Sequence, residues 1–292
     1  MKVVLFCGGL GLRLRENSES IPKPLVTIGD RPILWHLMKY YAHFGHKEFI
    51  LCLGWKASDI KRYFLEYNEC FSNDFVLSEG GNNVNLLHSD IHDWKITFVD
   101  TGIDVNIGQR LKAVQPYLQE DETFLVNYAD GLTDLHLPDL LTVFNAVKPV
   151  GLFVSVRPHF NSWHAVDSST NGRVTGIAAI GESDVWMNGG FFVFNRRIFD
   201  YIKDGEELVE EPFTRLINEG KLYTFKYDGF WACMDTFKEK SVLDGLYAKG
   251  PAPWEPWKIK NQPGRSLPES TSDDLGGPDN GQLFVFPRSE DL

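Results

Sequence analysis

Apolar residues along this chain fall into short continuous runs separated by stretches of helical period, and the two alternate from the first residues onward. Val3-Val4-Leu5-Phe6 is a continuous apolar run that leads into Cys7-Gly8-Gly9-Leu10-Gly11. Pro32 opens a segment with apolar residues at Ile33, Leu34, Leu37, Met38, Tyr41 and Phe44, followed by Gly45. That pattern predicts a helix with proline at its first position and glycine just past its end. His36 and His43, seven residues apart on it, read as partly exposed polar positions rather than ligands. Phe49-Ile50-Leu51-Cys52-Leu53 is a buried run of the kind found in central parallel strands. The same rhythm predicts a helix from about Ile60 to Tyr67, a strand Lys95 to Val99 and a helix near Gln109 to Leu118. It continues with a strand Thr123 to Asn127, a helix Leu137 to Val147 and a strand Gly151 to Val156. Such alternation implies an α/β architecture, a parallel sheet with helices on both faces.

From about residue 157 the character changes. Arg173 to Ile180 and Gly190 to Asn195 read as strands with little helix between them, and helical signals return at Glu207 to Asn218 and Phe237 to Ala248. After Trp257 the chain becomes polar and rich in Pro, Gly, Ser and Asp, with one apolar stretch, Leu283-Phe284-Val285-Phe286, able to dock. We expect one domain over residues 1–257, with an acceptor-side region at about 157–235, and a polar tail over 258–292.

Composition narrows the function. The chain has 292 residues, 43% hydrophobic and 24% charged, and a formal net charge of -11 without a visible basic cluster. That balance argues against long nucleic acid as a partner and suits a small phosphorylated ligand. Cys7, Cys52, Cys70 and Cys233 lie far apart and form no C-x-x-C pair, so buried reduced thiols are expected. No run reaches membrane-spanning length and the first apolar run is too short for a signal peptide, so a cytoplasmic location is the expectation.

The chemistry sits where strands end. Gly8 to Gly11 let backbone N–H groups approach phosphate oxygens, while Arg13 and Lys23 add full positive charge. Pro22 and Pro24 restrict the backbone on either side of Lys23. Asp130 follows a buried strand in Asn127-Tyr128-Ala129-Asp130-Gly131, and Asp235 lies in Trp231-Ala232-Cys233-Met234-Asp235-Thr236 at the mouth of a helix. Two carboxylates converging on a triphosphate would suit Mg²⁺. Plain turn chemistry at Asp130-Gly131 and helix capping by Asp235 remain equal alternatives at this point. The glycine turn matches neither G-x-G-x-x-G, since Leu14 stands at the third glycine, nor a Walker loop.

Together, Gly8-Gly9-Leu10-Gly11-Leu12-Arg13 and Ile21-Pro22-Lys23-Pro24 resemble the G-G-x-G-T-R and P-K-P signature of sugar-1-phosphate nucleotidyltransferases. Pro32 to His36, Cys52 to Lys56, Val99 to Gly102, Arg110 to Lys112, Asn188 to Val193, Gly229 to Trp231 and Met234 to Thr236 bring it nearer the branch acting on CTP and glucose-1-phosphate. The resemblance runs to about residue 257. It implies a Rossmann-like nucleotidyltransferase fold with a mixed, mostly parallel sheet and a small β-rich acceptor region. It implies transfer of a nucleotidyl group from NTP to a sugar-1-phosphate with release of pyrophosphate, with homo-oligomers common. Carried over residue by residue, Gly8, Gly9, Leu10, Gly11, Leu12 and Arg13 would cradle the NTP, with Arg13 on the pyrophosphate side. Lys23 would stabilise charge at the α-phosphate and Asp130 with Asp235 would hold Mg²⁺. Arg110 would lie near the nucleotide, and Asn188 and Gly189 would touch the acceptor.

Three departures stand out. Leu12 replaces a threonine and Ala129 replaces the first glycine of G-D-G. Between Val174 and Asn188 the family's F-x-E-K-P is missing, and with it the lysine that binds the acceptor phosphate. Losing one charge-assisted contact costs about 1.5–3 kcal/mol, or roughly one to two decades in affinity. Either Arg157, His159 or His164 replaces that lysine for a modified sugar phosphate, a cyclitol phosphate or a phosphonate, or another residue supplies the charge for glucose-1-phosphate itself. A degenerate nucleotide-binding subunit is the alternative from another class. Retention of Arg13, Lys23, Asp130 and Asp235 favours catalysis.

Overall fold

The structure is a computed structural model, and it describes residues 1–9, 21–119, 121–158 and 164–258. Seven strands form the central sheet: β1 (Lys2–Phe6), β2 (Glu48–Leu53), β3 (Lys95–Asp100), β4 (Thr123–Asn127), β5 (Gly151–Val156), β6 (Met187–Asn195) and β7 (Leu222–Tyr227). Their order is β7-β5-β6-β4-β1-β2-β3. Every pairing is parallel except those of β6, which runs antiparallel to both β4 and β5. Six helices accompany the sheet: α1 (Ile33–His43), α2 (Ala57–Leu65), α3 (Ile107–Val114), α4 (Leu137–Val147), α5 (Glu211–Asn218) and α6 (Phe237–Ala248). The expected mixed, mostly parallel α/β fold is what forms.

Strand alternation explains the two layers. In β1, Val3 and Leu5 pack into one core with α1, α4 and Trp254, while Val4 and Phe6 enter the other with α3 and α5. Both faces are covered, so the central strands read as unbroken apolar runs. Element ends shift by a few residues for local reasons. Pro116 cannot continue an α-helical ladder, so α3 stops at Val114 and passes into a 3₁₀ turn over Gln115–Leu118. Pro212 likewise fixes the start of α5, four residues after the expected one.

Two smaller ladders matter to the site. Gly131–Thr133 pairs antiparallel with Trp231–Cys233. His164–Ser168 pairs with Val174–Ala179 in an outer hairpin. A third, Phe75–Ser78 with Asn83–Leu86, was not expected from the sequence. Its aligned pairs Phe75/Leu86 and Leu77/Val84 share one face, which is largely exposed apolar surface. No helix of the described residues is long and apolar enough to cross a membrane. All four cysteines are free, with Cys7 and Cys52 buried and Cys70 and Cys233 half-buried. The apolar stretch Leu283 to Phe286 and all the tail beyond residue 258 lie outside the described residues.

His36 corrects the reading of α1. It is not a partly exposed position but is fully buried. Its Nε2 lies 3.0 Å from the Ile28 carbonyl, and Trp254 Nε1 points at its Nδ1 at 3.4 Å. A neutral ring that donates at Nε2 and accepts at Nδ1 satisfies both contacts, so burial is tolerated. His43 is exposed. Burial pushes the His36 imidazolium down to about 4. The folded state therefore binds its proton below the unfolded state. The associated stability, about 3 kcal/mol, is present above pH 6.5 and is lost as pH falls toward 4. Urea unfolding at pH 7.5 and pH 4.5 should show a steeper loss in the native chain than in His36→Gln, and equal losses would refute this linkage.

Candidate active site

Six parallel strands and the start of β6 present their loops at one edge of the sheet, the usual position for ligands in such folds. Lys23 reaches this edge on a short 3₁₀ turn over Lys23–Leu25. Pro22 holds φ at −66° just before it, and Leu25 N–H bonds the Pro22 carbonyl at 2.8 Å. Asp130 follows β4 by three residues. Ala129, just before it, adopts φ of +65°, the left-handed region that costs a residue with a Cβ roughly 1–2 kcal/mol. The Asn127 side chain supports that turn by accepting from Ala129 N–H at 3.2 Å. Asp235 arrives by the short ladder of Gly131–Thr133 with Trp231–Cys233: Cys233 aligns with Gly131, and Met234 N–H bonds the Asp130 carbonyl at 3.0 Å.

These segments meet at one atom. Lys23 Nζ lies 2.6 Å from Asp130 Oδ2 and 2.5 Å from Asp235 Oδ1. Burial alone would lower the Lys23 pKa, but the two carboxylates more than offset it and keep the ammonium above its ordinary value. Burial pushes the Asp130 carboxyl up, opposed by Lys23. Asp235 does not cap the helix after it: Thr236 does so, in a capping box with Glu239. The Asp235 carboxylate is directed at Lys23 instead.

Glu239 and Cys233 stand close enough to Asp235 to join a cation site. Glu239, however, accepts from Asp235 N–H and Thr236 N–H at 2.7 and 2.8 Å. The Cys233 thiol is pushed up to about 12 by burial, so it stays protonated. That leaves Asp130 and Asp235 as a hard oxygen pair of the kind Mg²⁺ takes, with Lys23 already supplying positive charge between them. The donor set fits the metal.

Arg110 lies behind the glycine turn. It is only 4% exposed, and it is surrounded by backbone oxygens. Its Nη1 donates to Thr101 Oγ1 at 2.7 Å, Gly102 O at 2.8 Å and Leu53 O at 3.3 Å. Its Nη2 donates to Ile103 O at 3.0 Å and Gly8 O at 3.2 Å. The turns after β1 and β3 and the end of β2 are thus tied to one guanidinium. The resemblance puts Arg110 near the nucleotide; the geometry makes it a clamp under the loops, which nothing in the sequence signalled. A Cβ on Gly8 would lie 2.1 Å from Arg110 Nη1, and one on Gly54 would lie 2.5 Å from Gly102 O.

The acceptor side begins at β6. Asn188 Nδ2 donates to Tyr128 Oη at 3.0 Å, and Trp231 Nε1 donates to the Gly189 carbonyl at 2.8 Å, with the Trp231 ring against Gly131. Arg157 stands just past β5, its guanidinium over the Trp186 ring, and Lys226 shares that ring. Lys226 was missed in the sequence because it occupies a polar position of an alternating strand. His164 opens the outer hairpin and is exposed. Leu10, Gly11, Leu12, Arg13 and His159 lie outside the described residues.

The sequence pattern of the family described as nucleotidyl transferase matches residues 2–245. The chain belongs to the sugar-1-phosphate nucleotidyltransferase family. It is 38% identical over 260 residues to glucose-1-phosphate cytidylyltransferase of Salmonella typhi, covering 88% of this chain and all of that one. The namesake enzyme of Salmonella typhimurium gives the same identity and coverage. Among solved structures, UTP-bound UGPase from Acinetobacter baumannii superposes with a TM-score of 0.62 at 17% identity, over 86% of this chain and 94% of that one. That likeness shows the fold.

The two neighbouring glycines separate fold from flexibility. Gly8→Ala should destabilise by about 1–3 kcal/mol through the overlap with Arg110. Gly9→Ala, with no atom of the described residues within 4 Å of its Cβ, should leave the melting temperature within about 2 °C. Equal melting temperatures for both variants would count against the clamp.

Proposed function

We propose that this nucleotidyltransferase joins CTP to a sugar-1-phosphate, forming a CDP-sugar and pyrophosphate with Mg²⁺. The observation that carries it is the convergence of Lys23, Asp130 and Asp235 at the edge where the Gly8 turn and the Asn188–Gly189 segment also meet. The choice of CTP rests on the likeness to the cytidylyltransferases over nearly the whole chain.

An acceptor phosphate is ionised at neutral pH, so its oxygen attacks the α-phosphorus without a general base. The bond between the α-phosphorus and the bridging oxygen breaks, and pyrophosphate leaves with that electron pair. Charge develops on the α-phosphate oxygens and on the leaving group. Lys23 is built to meet that charge, since two carboxylates keep it protonated and a proline-bounded turn fixes its backbone. Asp130 and Asp235 would hold Mg²⁺, which when bound neutralises phosphate charge. Gly8 offers backbone without a Cβ, and Arg110 holds that backbone from behind. Arg13 would act on the pyrophosphate side. Asn188 and Gly189 would orient the acceptor, with Arg157 and His164, which adjoin the rewritten segment, as candidates to replace its missing lysine.

Pyrophosphate release from CTP, UTP, dTTP, GTP and ATP, each with Mg²⁺ and glucose-1-phosphate, tests the reading. Release is expected with CTP at more than tenfold the rate with any other nucleotide. Asp130→Asn and Lys23→Met should each lower kcat by a factor of about 10² or more while the circular dichroism spectrum is unchanged. Full turnover in Asp130→Asn would remove that carboxylate from the reaction. CTP binding without pyrophosphate release from any acceptor would favour the degenerate nucleotide-binding subunit.

A further inference from the structure

The acceptor half of the edge carries two cations that share one aromatic ring. Ser155 on β5 aligns with Asn188 on β6 and with Lys226 on β7, so the three side chains form one row across the sheet. The row continues through Asn188 to Tyr128, two residues before Asp130. On the same face Phe153 and Leu222 pack on the core, and Thr224, opposite Phe153, is polar like the row itself. At its outer end the Arg157 guanidinium and the Lys226 ammonium lie 5.0 and 4.8 Å from the centroid of the Trp186 ring.

Two polar atoms in this group are buried without a hydrogen-bond partner among the described residues, Ser155 Oγ and Arg157 Nε. Arg157 has two carboxylates nearby, Asp228 at 3.8 Å and the fully exposed Asp184 at 3.9 Å, both beyond hydrogen-bonding reach. Among the described residues its one hydrogen bond is from Nη1 to the Ser183 carbonyl at 3.1 Å. Lys226 makes no ion pair among the described residues. Cations left short of acceptors beside orphaned donors are what an anion site looks like before its anion arrives.

Position decides which anion. Neighbouring strands lie about 4.8 Å apart, so Lys226, three strands from β4, starts roughly 14 Å from the strand that carries Asp130. The reacting phosphate must come within about 3–3.5 Å of the α-phosphorus, which places it beside Asp130 and out of reach of Lys226. Resting on the nucleotidyltransferase reading above, we propose that Arg157 and Lys226 bind a second anionic group of the acceptor, a carboxylate or a second phosphate at the end of the sugar away from the reacting phosphate. Trp186 fixes both cations and gives the site its apolar wall.

The test compares three acceptors with CTP and Mg²⁺: glucose-1-phosphate, glucuronic acid 1-phosphate and glucose 1,6-bisphosphate. Pyrophosphate release is measured for the native chain and for Lys226→Met, and calorimetry measures acceptor binding in parallel. The native chain is expected to favour one or both doubly charged acceptors by about 10–100-fold in kcat/KM and in affinity, and Lys226→Met to bring that ratio close to one. Preference for the uronate alone identifies a carboxylate, and preference for the bisphosphate alone identifies a phosphate. Equal use of all three acceptors by the native chain overturns the proposal, as does a Lys226→Met loss that is the same for all three. If no pyrophosphate is released but the binding preference and its loss in Lys226→Met are seen, the second-anion site stands and the catalytic reading falls. Absence of both release and binding overturns both.

Discussion

One ammonium holds the site together. Lys23 is bonded to Asp130 and Asp235, which belong to segments far from it and from each other in the chain. Two carboxylates converging on one atom would repel by roughly 4 kcal/mol at an effective dielectric near 20 if nothing stood between them. The lysine converts that repulsion into attraction on both sides. It also ties the first loop of the chain to the Gly131–Thr133 and Trp231–Cys233 ladder, which is too short to define a register by itself. Removing one member of a half-buried charged trio leaves the others uncompensated. The same contact that lets the three residues approach phosphate therefore also fixes the fold around them.

A second cation does comparable work for the backbone. Arg110 spends its donors on oxygens from the turns after β1 and β3 and from Leu53 at the end of β2, which lies between them. Carbonyls that face a buried guanidinium cannot also face a ligand, so the turns are biased to offer their N–H groups outward. Burial lowers the Arg110 pKa somewhat, but a guanidinium stays charged through any physiological range. The close approach is possible because Gly8 and Gly54 have no Cβ to obstruct it. Lys23 would therefore meet phosphate by charge, while Arg110 shapes the loops from beneath.

The sequence disclosed these parts unevenly, for physical reasons. Strands β1, β2 and β4 are buried on both faces, and a run such as Phe49 to Leu53 has few other conformations open to it. Lys23, Asp130 and Asp235 were legible because each stands beside a proline, a glycine turn or a helix start. Asp235 could have been a cap until Thr236 was seen to fill that role. His36 was misread because a neutral imidazole satisfied at both nitrogens behaves as core, and no spacing rule separates it from an exposed histidine. The Phe75–Leu86 hairpin was invisible because its apolar face is short and exposed, and its residues resemble a loop with scattered hydrophobics. Lys226, and the clamp that Arg110 makes of itself, went unread for a shared reason. What a cation does depends on which backbone or ring it meets across strands, and that is set by pairing rather than by local pattern.

The single antiparallel strand shapes how the enzyme divides its work. Because β6 runs against its neighbours, its first residues lie at the same edge as the last residues of β4 and β5. The segment between β5 and β6 therefore starts and returns at that edge, so its length and composition can vary while the sheet pairings stay in place. The nucleotide side has no such freedom, since β4, β1, β2 and β3 are locked by parallel pairing, by Lys23 and by Arg110. Divergence concentrated between Val174 and Asn188 is therefore what this topology permits. A chain can change what it asks of its acceptor through charges set away from the reacting phosphate, such as Arg157 and Lys226, while the parallel strands stay as they are.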